Sequence, residues 1–134
     1  MKLLRMIPFV ALSIISLCAA ATLSAQRRVF TFDVDLSPHA LVSSLQKIEH
    51  YKASALIFVL AWSALGSRRL SAAFWLTMLV AAGWELFEAT AVGRTARLSD
   101  LGPDLLGAFV CLVVAVAVRT IFARSGETSR QQAR

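Results

Sequence analysis

Four uncharged apolar stretches set what this chain can fold into. Met6 to Gln26 carries no charge between Arg5 and Arg27, and Ala53 to Ser67 none between Lys52 and Arg68. Leu70 to Trp84 carries none between Arg69 and Glu85, and Leu105 to Val118 none between Asp104 and Arg119. A helix that crosses a bilayer needs about 20 predominantly apolar residues. The first stretch reaches that length unaided. The others reach it when charged ends snorkel, or when acidic groups at membrane depth face protein. Apolar residues make up 57% of the 134 and charged residues 16%. A soluble domain of this size cannot hide so much apolar surface, and the chain is too hydrophobic to stay disordered. The expectation is an all-α integral membrane protein, a four-helix transmembrane bundle with a short polar loop region on its outer side.

The chain divides into three parts. Residues 1–26 form a signal-anchor-like first transmembrane helix. Lys2 and Arg5 before Ile7 to Ala21 resemble a signal peptide, but the run is long and no cleavage site is clean, so the helix is expected to stay uncleaved. Residues 27–123 form the membrane domain, and 124–134 a disordered basic tail. Val29 to Val34 alternates like a strand, with nothing obvious to pair with. Ser37-Pro38 places an N-cap and a first-turn proline at a helix start. From there the apolar pattern runs unbroken to Gly66, and Gly66-Ser67-Arg68-Arg69 is a tight turn. The third helix runs from about Ser71 to Val92 and ends at Gly93. The fourth runs from Asp100 or Pro103 to Ala123.

Charge sets the topology. The net charge is +6. The basic residues flank apolar runs and form no stripe with exposed aromatics, so nucleic acid is excluded as a partner. With four spans, Lys2, Arg5, Arg68, Arg69, Arg119, Arg124, Arg130 and Arg134 share one side. Arg27, Arg28, Lys47, Lys52, Arg94 and Arg97 share the other. The excess puts both termini on the cytoplasmic side. Seven of the eight acids fall on the outer side, which marks where the polar chemistry lies.

Those acids form a constellation with nearby bases. Glu85 and Glu88 are three apart and share a helix face, and Asp100 and Asp104, four apart, share another. The loop between them is short, so four carboxylates come close and cannot all ionise cheaply. Arg94 and Arg97 are the local counter-charges, and Lys47 and His50 the distant ones. Asp100 or Ser99 suits the cap of the fourth helix. Gly107, Cys111 and Ala115 recur every four residues, a helix-packing face. Trp62, Trp75 and Trp84 read as interface anchors or core. Cys18 and Cys111 read as buried structural thiols; no CxxC or His/Cys spacing marks a metal, and no cofactor is expected.

The order of these residues resembles the VanZ-like family of small bacterial membrane proteins. That family's pattern has a Lys and a His opening one helix, a Glu and a Gln three apart closing the next, and an Arg in the loop. An Asp, an Asn and a Gly then follow at spacings of four and three. Lys47 and His50, Glu85, Arg94 or Arg97, Asp100 and Gly107 match, over about Leu45 to Val118. Glu88 stands where Gln is usual and Asp104 where Asn is usual, so two amides become acids. The resemblance implies a helical membrane fold and a cell-envelope context related to glycopeptide resistance.

Three functions compete. The first is a non-enzymatic envelope protein that binds a lipid, a lipid-linked precursor or a lipophilic glycopeptide in an outer-side pocket. Lys47, His50, Arg94 and Arg97 would meet phosphate or carboxylate. Glu85, Glu88, Asp100 and Asp104 would meet amines and hydroxyls. The second is a membrane enzyme, its carboxylates and His50 holding Mg²⁺ or Mn²⁺ or acting as acid and base. The third is a structural or partner-binding span, with oligomeric state left open. A transporter is a distant fourth.

Overall fold

A computed structural model describes residues 2–23, 30–91 and 95–132, with side chains described for 4–22, 30–91 and 95–123. The chain is mostly helical. Helix α1 spans Lys2–Leu23, β1 Phe32–Asp33, α2 Pro38–Leu45, α3 Ile48–Leu65, α4 Leu70–Glu88, β2 Ala96–Arg97 and α5 Leu101–Gln132. The 3-10 turn Leu98–Asp100 leads directly into α5.

Segments Leu4–Thr22, Leu70–Glu88 and Leu98–Ala123 are long and apolar enough to cross a membrane. Helix α3 falls outside that set: Glu49, His50 and Lys52 occupy its first two turns. Helices α3 and α4 pack on each other, and α1 and α5 each pack on both. The apolar core lies where the four meet, with Phe58, Ala61 and Ala73 fully buried beside Phe9, Ile57, Leu70, Val80 and Ala115. The outward faces are apolar too, with Ile15, Trp75, Leu79, Val113 and Phe122 all exposed. Apolar surface of that extent marks contact with a membrane or a partner.

Small residues let α3 and α5 approach closely. A Cβ at Gly107 would strike Ser54 Oγ and come within 3.2 Å of the Tyr51 backbone. Ala115 is buried against the same core, with Cys111 half-buried beside it. Cys18, in contrast, is exposed on α1 rather than buried, because its side of α1 faces away from the other helices. Buried Ser54 and Thr77 bond back to Tyr51 O and Ala73 O of their own helices, so neither leaves a donor unmet. Gly66 follows α3 at φ 85° and ψ 163°, a region essentially closed to side chains, which is what its place in the turn demands.

The polar end is capped by a small layer. The strand expected near Val29 to Val34 is Phe32–Asp33, and it has a partner: it pairs in parallel with β2, Phe32 opposite Ala96 and Asp33 opposite Arg97. Thr31 N also donates to Ala89 O at 2.8 Å, which ties this segment to the end of α4. Asp33 Oδ1 accepts from Asp35 N, and Asp35 Oδ1 from Ser37 N at 2.8 Å. The Ser37 backbone N–H holds the Asp35 carboxyl below its ordinary range. Ser37 caps α2 through Ala40 N, with Pro38 in its first turn.

The structure corrects several expectations. The helix from Ser37 to Gly66 is broken: α2 ends at Leu45 and Lys47 leaves helical geometry at ψ 85° before α3 begins. Helix α4 stops at Glu88 rather than Val92, with Thr90 and Ala91 N–H bonded in a turn to Phe87 O and Glu88 O. Gly93, the expected stop, lies outside the described residues. Neither Ser99 nor Asp100 caps α5; Ser99 Oγ is buried without a partner among the described residues and Asp100 turns to Lys47. Helix α5 continues to Gln132, through the segment expected to be a disordered tail. Once a helix is under way, each further residue adds one hydrogen bond without a new nucleation cost.

Candidate functional site

Helices α3 and α5 begin, and α4 ends, at the capped end, and this convergence assembles the site. Lys47 Nζ meets Asp100 Oδ2 at 2.5 Å. One turn further along both helices, His50 Nδ1 meets Asp104 Oδ2 at 3.0 Å. Lys47 and His50 are three apart and Asp100 and Asp104 four apart, so two adjacent helix faces pair in register. Glu85 reaches the same place from α4. One ligand atom each of His50, Glu85 and Asp100 lie within 4.8 Å of one another. Glu85 Oε2 also accepts the Arg97 backbone N–H at 3.4 Å.

Burial is what distinguishes these acids from edge polarity. Glu85 is 3% exposed, and Asp100 and Asp104 are each 5% exposed. Removing carboxylates from water is expensive unless positive charge and donors replace the water. Asp100 Oδ1 nevertheless has no hydrogen-bond partner among the described residues. Among the described residues, Lys47 is the lysine or arginine whose side chain bonds to the group, and that side chain is 39% exposed.

Beside this cluster lies a cleft of about 450 Å³ between α1, α3, α4 and α5. Its floor is apolar, formed by Ala53, Ile57, Val80 and Ala81. Its rim carries Glu49, His50, Glu88 and Asp104, with Ser16 and Ser54 on the walls. Trp84 also lines it, donating its indole N–H to Glu88 Oε1 at 3.0 Å. Carboxylates on such a rim accept hydrogen bonds from ligand amines and hydroxyls. Glu49 bonds outward to Lys52 at 3.0 Å, with both side chains well exposed.

Of the residues singled out from sequence, Lys47, His50, Glu85, Asp100 and Asp104 converge, and Glu88 faces the neighbouring cleft. Arg97 does not join them. Its guanidinium turns toward Asp33, with Nε 3.8 Å from Oδ2, and only its backbone reaches Glu85. Pairing in β2 fixes that outward direction. Arg94 lies outside the described residues. The counter-charges to Asp100 and Asp104 are thus the distant Lys47 and His50, not Arg97. Sequence reasoning missed the bond from Trp84 to Glu88, although their i, i+4 spacing signals it. It also missed Asp33 as the neighbour of Arg97, for which no local signal exists.

No protein-family model, curated protein or solved structure matches this chain.

Proposed function

We propose that this chain is a four-span integral membrane protein of the bacterial inner membrane. Its termini are cytoplasmic, and its outward-facing cleft binds the head group of an amphiphile. The candidate ligands are a lipid, a lipid-linked envelope precursor or a lipophilic glycopeptide. The observation that carries this reading is the cleft itself: an apolar floor below a rim of carboxylates and an imidazole. That polarity matches an amphiphile entering head-up, its alkyl part among Ile57 and Val80. The rim favours a head group with amine and hydroxyl donors over a bare phosphate, because neither Lys47 nor Arg97 lines the cleft. Helix α3 counts as the fourth span because its charged residues all sit in its first two turns, at the polar end. The likeness of Lys47, His50, Glu85, Asp100 and Gly107 to the VanZ-like pattern agrees with an envelope role, and it rests on those residues alone.

The test is native mass spectrometry of detergent-purified protein reconstituted with equal amounts of phosphatidylethanolamine and phosphatidylglycerol. The expected result is preferential retention of the amine-bearing lipid, reduced at least about tenfold in a Glu88→Gln, Asp104→Asn variant. One lost charge-assisted hydrogen bond of about 1.5 kcal/mol already gives that factor. Equal retention of both lipids by parent and variant would remove the cleft as a binding site.

A further inference from the structure

The buried cluster beside the cleft has a chemistry of its own. We infer that His50, Glu85 and Asp100 form a binding site for one divalent transition-metal ion of the Zn²⁺ or Mn²⁺ class. Three separate elements bring these residues together: α3, the end of α4 and the 3-10 turn before α5. Their ligand atoms lie within 4.8 Å of one another. Zinc–ligand bonds are about 2.0–2.2 Å long, so tetrahedral ligand atoms stand roughly 3.5 Å apart, and small side-chain rotations close the cluster on an ion.

Two further observations point to a cation. Asp100 Oδ1 has no hydrogen-bond partner among the described residues although the residue is 5% exposed. A buried carboxylate oxygen left in that state is costly, and a metal ion is a partner that would satisfy it. The Lys47 ammonium occupies Oδ2 and leaves Oδ1 open. The second observation is the bond from His50 Nδ1 to Asp104 Oδ2. A carboxylate that holds one ring nitrogen of a histidine fixes the tautomer and presents the other nitrogen as a ligand, the usual arrangement behind a metal-bound imidazole. Here that leaves Nε2 to ligate.

The donor set selects the ion. One imidazole nitrogen with two carboxylate oxygens suits Zn²⁺ or Mn²⁺; Mg²⁺ and Ca²⁺ prefer oxygen alone, and Cu(I) prefers sulfur. Three protein ligands leave a coordination position for water or a donor atom from the cleft.

The experiment is calorimetric titration of Zn²⁺ into full-length protein in detergent, freed of any affinity tag and stripped with chelator. One equivalent is expected to bind saturably. The chain has two histidines, His39 and His50. His39→Gln should bind as the parent does, whereas His50→Gln and Glu85→Gln should each weaken binding at least about tenfold. Should those variants fail to fold, X-ray absorption of the Co²⁺-loaded parent and His39→Gln proteins decides. Imidazole scattering retained in His39→Gln supports the site. Absence of a saturable equivalent, of imidazole scattering, or of any loss in a folded His50→Gln protein overturns it. The metal result stands apart from lipid binding, since lipid retention by the stripped protein is read separately.

Discussion

Replacing Gly107 with Val is expected to lower stability by about 1–3 kcal/mol, the usual cost of overpacking a filled interface. The reason is local. Even a single Cβ at Gly107 would strike Ser54 Oγ and press on the Tyr51 backbone at 3.2 Å. Backbone cannot give way as a side-chain end does, so α3 and α5 would separate. That separation also disturbs His50–Asp104 one turn away, and lipid retention should fall with stability. Gly83 is the control. An added Cβ there meets Leu17 Cδ2 at 3.2 Å, the far end of a flexible side chain. Gly83→Ala should cost less than about 1 kcal/mol, since the leucine can turn aside and alanine favours the helix. The measurement is denaturant unfolding in mixed micelles followed by tryptophan fluorescence. Equal stability of Gly107→Val and parent would contradict close packing of α3 on α5.

Lys47→Met should be the second large effect. It leaves Asp100, with a 7% exposed side chain, without its cation. Breaking a fully buried pair costs about 3–5 kcal/mol. Lys47 is partly exposed and water can reach its place, so a loss of roughly 1–3 kcal/mol is expected. Adding Asp100→Asn removes the stranded charge, and the double variant should regain most of the loss. Additive losses in the double variant, measured by the same unfolding, would mean that the pair is not coupled.

The four apolar stretches made the long helices legible, because a charge-free run of that length has few other uses. Their internal breaks were less legible. Nothing in the apolar pattern of Leu41, Leu45 and Ile48 marks the departure from helix at Lys47, which goes with its contact to Asp100, 53 residues away. The pairing of Phe32–Asp33 with Ala96–Arg97 is equally long-range, and two short polar segments carry no signal for each other. The candidate site was legible as a set of residues but not as a set of pairs. Proximity in sequence favoured Arg97 as the counter-charge, yet strand pairing turns Arg97 outward and two helix starts bring Lys47 and His50 in. The matched spacings, 47 with 50 and 100 with 104, carried that information.

The reading of the cleft as an outward-facing site depends on α3 crossing the membrane. Cysteine accessibility measures this directly. In a background with Cys18 and Cys111 changed to Ala, single cysteines replace Asp35, before α2, and Ser67, after α3. Intact cells are treated with a membrane-impermeant maleimide. The account predicts labelling at position 35 and protection at position 67 until the cells are lysed. Labelling of both positions in intact cells, or of neither, would place them on the same side of the membrane and contradict a fourth span.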